Sequence, residues 1–336
     1  MEEKVAFENF LFGDGAECTI NDEEFLADRL IMLPKLRPHC IDKAIRLCED
    51  YCKNEDFRQK LSQKSISCPA LIYQLYKKGV LDYEDLAPTI NRFDSFVFCY
   101  YFRKEFFDFE AVIQSKEEPD DFDESFIEND NEIDSLVEYG YLPSSIEYCL
   151  KYDDIDVFRS ICTSYQSTAK WSPFEWSCKP EFRDFLSFSG FFGSINCFKH
   201  LLMNGYCIND RVMSSVVCSG SFDLVLLCQE EELTDPKCLC LASQFHHLNL
   251  LVYMFENGGD IKSRNTEDET SLHYSAMYGH LRVVEYLLDN GADISAKNDA
   301  HLTPLHCSAG NGHLRVVEYL VNYGADINAK TDYISI

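Results

Sequence analysis

Thr270-Ser271-Leu272-His273-Tyr274-Ser275-Ala276-Met277-Tyr278-Gly279-His280-Leu281-Arg282-Val283-Val284-Glu285-Tyr286-Leu287 returns 33 residues later as Thr303-Pro304-Leu305-His306-Cys307-Ser308-Ala309-Gly310-Asn311-Gly312-His313-Leu314-Arg315-Val316-Val317-Glu318-Tyr319-Leu320. Extended to Thr270–Lys297 over Thr303–Lys330, the two segments share 20 of 28 residues. A fixed offset of this kind marks an array of stacked supersecondary units and takes precedence over element-by-element reading. Thr303 is a helix cap, and Pro304 suits the first helical position, where no amide bond is lost. Small Ser308 and Ala309 let neighbouring helices approach closely. Gly312 supplies the left-handed residue that ends the first helix. Leu314, Val316, Val317, Leu320 and Val321 then recur at helical spacing as an apolar stripe, and Gly324 closes the second helix before a loop that begins at Ala325.

A degenerate copy lies one period upstream. Leu239-Cys240 fills the Leu-His slots, His246-His247 the Gly-His slots, and Asn257-Gly258-Gly259-Asp260-Ile261 the loop. Further back, Gly220-Ser221, Gly193-Ser194 and Asp153-Asp154 read as turns before a second helix. The turn residues 153, 193, 220, 246, 279 and 312 are spaced by 40, 27, 26, 33 and 33. The spacing of 40 absorbs an insert around 163–180, in which Trp171 and Trp176 are expected as aromatic anchors.

With the period of 33 and the phrase Thr303-Pro304-Leu305-His306-Cys307-Ser308, the C-terminal segment resembles the ankyrin-repeat family. The resemblance implies an all-α, ankyrin-type solenoid of stacked helix pairs with an N-terminal helical cap, and a protein that binds other proteins. It implies that His306 ties its helix to the loop by hydrogen bonds. It also implies contact residues on loop tips and exposed first-helix positions: Asp299, Ala300, Leu302, Gly310, Asn311 and Tyr323, and one repeat earlier Thr266, Glu267, Glu269, Met277, Tyr278 and Asn290. Three of the eight differences between the two copies, at 277/310, 278/311 and 290/323, fall in this set. Asp268 and His301 stand where the family has a loop-tip glycine, and both residue types tolerate a left-handed backbone better than most. Phe188–Lys199 and Ile72–Gly79 add a resemblance to a large ankyrin-repeat family of trichomonad-type protists, whose upstream domain has no assigned activity.

The expected organisation is an N-terminal helical region over 1–113, an acidic linker over 114–135, degenerate helix pairs over 136–236 and ankyrin repeats over 237–336, best formed at 268–300 and 301–333. Residues 22–60 read as two helices broken at Pro34 and Pro38. Residues 69–113 read as packed helices, although the run Phe96–Phe102 is equally compatible with a buried strand. Glu117–Asp134 carries ten acidic residues and no Lys or Arg. That composition suits a solvated linker, or a docking peptide built on Phe122, Phe126 and Ile127.

The net charge of −27 opposes tracking of nucleic-acid phosphates, which requires basic surface, and opposes docking on anionic lipid. The opening Met1-Glu2-Glu3-Lys4 has no apolar segment of signal-peptide length behind it, and no run is apolar enough to span a membrane. Sixteen cysteines scattered through such a chain read as reduced thiols, which points to cytoplasm or nucleus.

Cys238, Cys240, His246 and His247 offer four metal-type donors, but the usual C-x₂₋₄-C spacing is absent. The repeat register explains them without metal, since Cys240 and His247 occupy the slots of His273 and His280. Cys48 and Cys52, one turn apart, read as packing. The spacing of His273, His280, His306 and His313 assigns them to the scaffold. No phosphate loop, nucleophile elbow or H-E-x-x-H occurs, so neither a cofactor nor catalysis is expected. The alternative function is an adaptor that delivers a bound client to a ubiquitin ligase or kinase through the N-terminal helices. The chain stops at Ile336, one residue into the next period. Leu305, Leu314, Val317 and Leu320 are therefore expected to be only partly shielded, by truncation or by a stacked partner.

Overall fold

The computed structural model describes residues 30, 45–46, 48–49, 51–63, 69–82, 84–86, 100–102, 135–136, 139–162, 168–172, 181–228 and 234–331. The acidic segment 114–134, Pro34, Pro38, the run 96–99, Trp176 and Ile336 lie outside them. The chain divides into two compact units, Met1–Phe185 and Leu186–Ile336, so the expected helix pairs of 136–236 are shared between both.

In the first unit, α1 (Glu55–Gln63) and α2 (Pro69–Lys77) carry the apolar positions that form its core. Cys48, Phe57, Leu61, Leu71, Ile72 and Leu75 are buried, and Tyr101 and Phe102 meet Tyr73 edge-on. The chain is helical at 45–46, 48–49 and 51, and turns at 52–54 before α1, so here a break falls without proline. α3 (Ile146–Tyr152) is capped by Ser145 and α4 (Ile155–Ile161) by Asp154, whose side chain accepts from the Val157 amide. Part of the insert folds back beside them. The Thr168–Asp184 bridge is the sole β-pairing among the described residues, and the Ser172 amide donates to Tyr141 Oη.

The second unit is a stack of antiparallel helix pairs. They are α5 (Phe185–Phe192) with α6 (Ile195–Met203), α7 (Asp210–Ser219) with α8 (Phe222–Leu227), α9 (Pro236–Gln244) with α10 (Leu248–Glu256), α11 (Ser271–Met277) with α12 (Leu281–Asp289), and α13 (Pro304–Gly310) with α14 (Leu314–Tyr323). The first helices α7, α9, α11 and α13 pack in series, as the layered architecture of a solenoid requires. Their contact faces carry small residues whose polar atoms are satisfied within the helix. Ser189, Ser215, Ser275 and Ser308 each donate a hydroxyl hydrogen bond to the carbonyl three residues back. A Cβ on Gly190 would stand 2.5 Å from Ser215 Oγ, which shows how closely α5 approaches α7.

All six expected turn residues adopt positive φ: Asp153 (59°), Gly193 (76°), Gly220 (68°), His246 (57°), Gly279 (68°) and Gly312 (74°). The left-handed residue is therefore a property of the turn and not of glycine alone. At Gly220 and Gly279 there is a second requirement. The imidazole of the following repeat lies over the glycine, and an added Cβ would come within 2.3 Å of His247 or 2.6 Å of His313.

The apolar stripe of the last pair differs from expectation. Leu320 is fully buried, but Leu314 is 66% and Val321 40% exposed. In the preceding pair Leu288, the counterpart of Val321, is 3% exposed, because α13 and α14 lie against that pair. Ala309 is likewise exposed where its counterpart Ala276 is fully buried. Leu305 and Val317 are half-buried, as expected for a last described pair.

Candidate partner-binding surface

Two loops project between the helix pairs, over 257–270 and 290–303, and each folds by the same side-chain device. Asn265 Oδ1 accepts the amides of Glu267 and Glu269 at 3.0 and 2.9 Å. One period on, Asn298 Oδ1 accepts those of Ala300 and Leu302 at 3.1 and 2.9 Å. Asp268 (φ 58°) and His301 (φ 56°) take the left-handed position in place of glycine, so the loop form survives the substitution.

The two loops are also laced to each other. Arg264 Nη1 donates to the Lys297 carbonyl at 2.7 Å and to the Asp268 carboxylate at 3.0 Å. The Asp299 amide donates to the Glu267 carbonyl at 3.2 Å. Lys297 Nζ reaches the Lys330 carbonyl at 3.1 Å, repeating the Arg264 contact one period later. Loops braced in this way present their tips with little conformational freedom left to lose on binding.

The loop bases are held by histidines. The Thr270 amide donates to His273 Nδ1, so Nε2 carries the proton and donates to the Leu302 carbonyl at 3.1 Å. Burial holds the His273 pKa below its ordinary value, consistent with a neutral ring. His306 Nδ1 accepts from the Thr303 amide in the same fashion. Cys240, in the His273 slot, donates its thiol to the Glu269 carbonyl at 3.7 Å and so makes the equivalent bridge to the next loop. A second series joins the turns. His247, His280 and His313 place Nε2 on the carbonyls of Cys218, Gln244 and Met277 at 2.9, 2.7 and 2.8 Å. The rings of His246 and His280 stack at 4.7 Å. Cys238, Cys240, His246 and His247 thus have separate partners, and Cys238 and Cys240 are pushed up to about 12 by burial, so both are thiols at neutral pH.

The expected contact residues fall into three groups. Thr266, Glu267 and Asp299 are exposed on the loop tips, with Ala300 and Leu302 half-buried beside them. Met277, Tyr278, Gly310 and Asn311 lie at the far ends of α11 and α13, about 10 Å along a seven-residue helix. Tyr278 Oη accepts from Gln244 Nε2 at 2.8 Å and Asn311 caps its own helix through the Cys307 carbonyl. Asn290 and Tyr323 end the second helices, where Tyr323 Oη donates to the Leu288 carbonyl at 3.0 Å. Glu269 is the departure. It is 6% exposed, and its carboxylate accepts from Asn298 Nδ2 at 3.0 Å, so it braces one loop against the next and faces no solvent.

A feature without a signal in the 33-residue repeat itself is a cavity of about 520 Å³ between the first projecting loop and the starts of α7 and α9. Arg264, Asn265, Thr266 and Glu267 form one side, Asp210 and Met213 the other, and Tyr274 with Cys238 and Cys240 lie between. Thr266 and Glu267 alone among the expected contact residues line it. Burial, with Glu269 nearby, raises the Tyr274 phenol pKa, so that side chain is neutral too.

With this geometry in view, residues 239–331 match the family model described as ankyrin repeats (3 copies). This segment is an ankyrin-repeat array, and the all-α architecture around it is that of an ankyrin-type solenoid. No curated protein matches the chain. Ankyrin arrays are protein-interaction modules, and the family is typically a non-enzymatic scaffold. Among the described residues no helix is long and apolar enough to cross a membrane.

Proposed function

We propose that the chain binds a partner protein through the projecting loops and the adjoining surface of the first helices. The observation that carries this reading is the pair of laced loops, whose tips at Thr266, Glu267 and Asp299 stay exposed while every bracing group behind them is engaged. A rigid, exposed tip on a buried frame keeps the ordering cost of binding low. Tyr278, Asn311, Asn290 and Tyr323 support the frame and join the contact only where a partner extends beyond the loops.

A photo-crosslinking residue placed at Thr266 or Asp299, and for comparison at exposed Glu318 on α14, tests this in the source cell. Crosslinked protein is expected from the loop positions and not from Glu318; adducts from Glu318 alone would sink the proposal. The adaptor reading adds a second partner for the unit Met1–Phe185. Partners kept by the full chain after both loop tips are altered would belong to that unit. None of the eleven described cysteines is in a disulfide, which suits a reducing compartment such as cytoplasm or nucleus.

A further inference from the structure

We propose that the cavity beside the first projecting loop receives a lysine or arginine side chain from an extended partner segment. This rests on the reading of the array as a protein-binding surface and assigns the chemistry of its occupant.

The cavity arises from a change of period. The turns at 246, 279 and 312 are 33 residues apart, but those at 220 and 246 are separated by 26. The connections α10–α11 and α12–α13 each have fourteen residues, whereas α8–α9 has eight, from Cys228 to Asp235. That connection is six residues shorter than either downstream loop. The loop 257–270 therefore has a laced neighbour on its downstream side and, on its upstream side, the cavity bounded by the N-terminal ends of α7 and α9.

The lining is suited to a long cationic side chain. Asp210, Asp235 and Glu267 bring three carboxylates, and Asp210 and Glu267 are solvent-exposed. Among the described residues no ion pair within 4.0 Å engages any of the three. Of the two cations in the lining, Arg264 is already committed to Asp268 and the Lys297 carbonyl, leaving Lys237 alone against the three acids. Met213, Pro236, Leu241 and the Tyr274 ring supply apolar wall for a methylene stem, the usual arrangement for a lysine or arginine that buries its chain and keeps its head polar. An aromatic face beside a cation adds a further attraction. The thiols of Cys238 and Cys240 are neutral and hydrogen-bonded within the protein, so the occupant is held without a covalent bond. The volume is too large for a bare metal ion and fits an organic side chain with its flanking backbone.

The test is selection of a random linear-peptide display library on the full chain, repeated with Asp210→Asn/Glu267→Gln, whose integrity is checked by its unfolding midpoint. Selected peptides are expected to share a Lys or Arg at one position. Replacing that residue with Met should weaken binding about tenfold, the double variant should do the same, and the two losses should not add, as for groups in contact. Peptides lacking a basic residue, or insensitive to the double variant, would overturn the proposal. If those peptides still lost affinity on Asp299→Ala, the broader reading of the loops would stand. Failure to select any peptide also overturns the cationic assignment, and the crosslinking comparison above then decides separately whether the surface binds protein.

Discussion

The helix pairs at 186–228 and the ankyrin repeats at 239–331 share a topology but are held together by different forces. In the upstream pairs the residues after the turn are Ser194 and Ser221, neither of which caps its helix through a side chain, and the interior is built from Phe188, Phe191, Phe192 and Phe198. Downstream, the same slot holds His247, His280 and His313, each of which crosses to a carbonyl of the preceding repeat. Apolar packing is non-directional and tolerates variation in period and loop length. The histidine bonds span 29 residues at His247, across the spacing of 26, and 36 residues at His280 and His313, across the two spacings of 33. The projecting loops of fourteen residues occur where consecutive turns are 33 residues apart.

Core truncation is the largest expected effect and breaks the comparison most directly. Phe198→Ala should cost about 3–5 kcal/mol and Leu287→Ala about 2–5 kcal/mol, since both side chains are fully buried and leave cavities. Urea midpoints measure both; a loss below about 1 kcal/mol for Phe198→Ala would show that packing does not carry the upstream pairs.

The turn residue gives the next effect, with opposite sign at neighbouring repeats. Gly279→Ala places a β-carbon in the left-handed region and against His313, at a cost of roughly 2–4 kcal/mol when the displaced His313 bond is included. His246→Gly relaxes the same backbone conformation and should gain about 1 kcal/mol, less whatever the stack on His280 contributes. Equal losses at both sites in thermal melts would mean that the ring and not the backbone governs the turn.

Acidification probes the histidine frame. The His273 pKa is depressed in the fold, so folding binds fewer protons than the unfolded chain does. The associated stability is complete above the ordinary histidine pKa near 6.5 and is lost as pH falls through and below it. The melting temperature should therefore drop between neutral pH and pH 5, and His273→Gln should flatten that slope. An unchanged slope in the variant would remove His273 from the account.

The smallest effect sharpens the picture of the loops. Arg264→Ala removes an exposed ion pair and one bond to the next loop, so global stability should change by only about 0.2–1 kcal/mol. Local opening should respond more. Amide hydrogen exchange at Asp299, whose N–H is bonded to the Glu267 carbonyl, is expected to accelerate in the variant while the helices are unaffected. No acceleration would show that the loops are rigid without their lacing.

Sequence by itself determined the solenoid, because its signals are local. The six turn positions, the left-handed Gly312, the Thr303 cap, Pro304 at a helix start and the unusual Asp268 and His301 were legible from the period and from backbone preference. So was the equivalence of Cys240 with His273, which the structure extends to a shared role in bridging to the next loop. Tertiary structure alone decided which polar loop residue turns inward. Glu269 reads as exposed until Asn298, 29 residues away, is placed against it. It also separated Tyr278 and Tyr323 from the loop tips by assigning their hydroxyls to Gln244 and Leu288. The cavity belongs to neither repeat type and appears only where the two meet. The physical reason is common to all three: helix ends and turns depend on residues within a few positions, whereas burial and cavity shape depend on contacts across about thirty residues, which a periodic sequence repeats but does not locate in space.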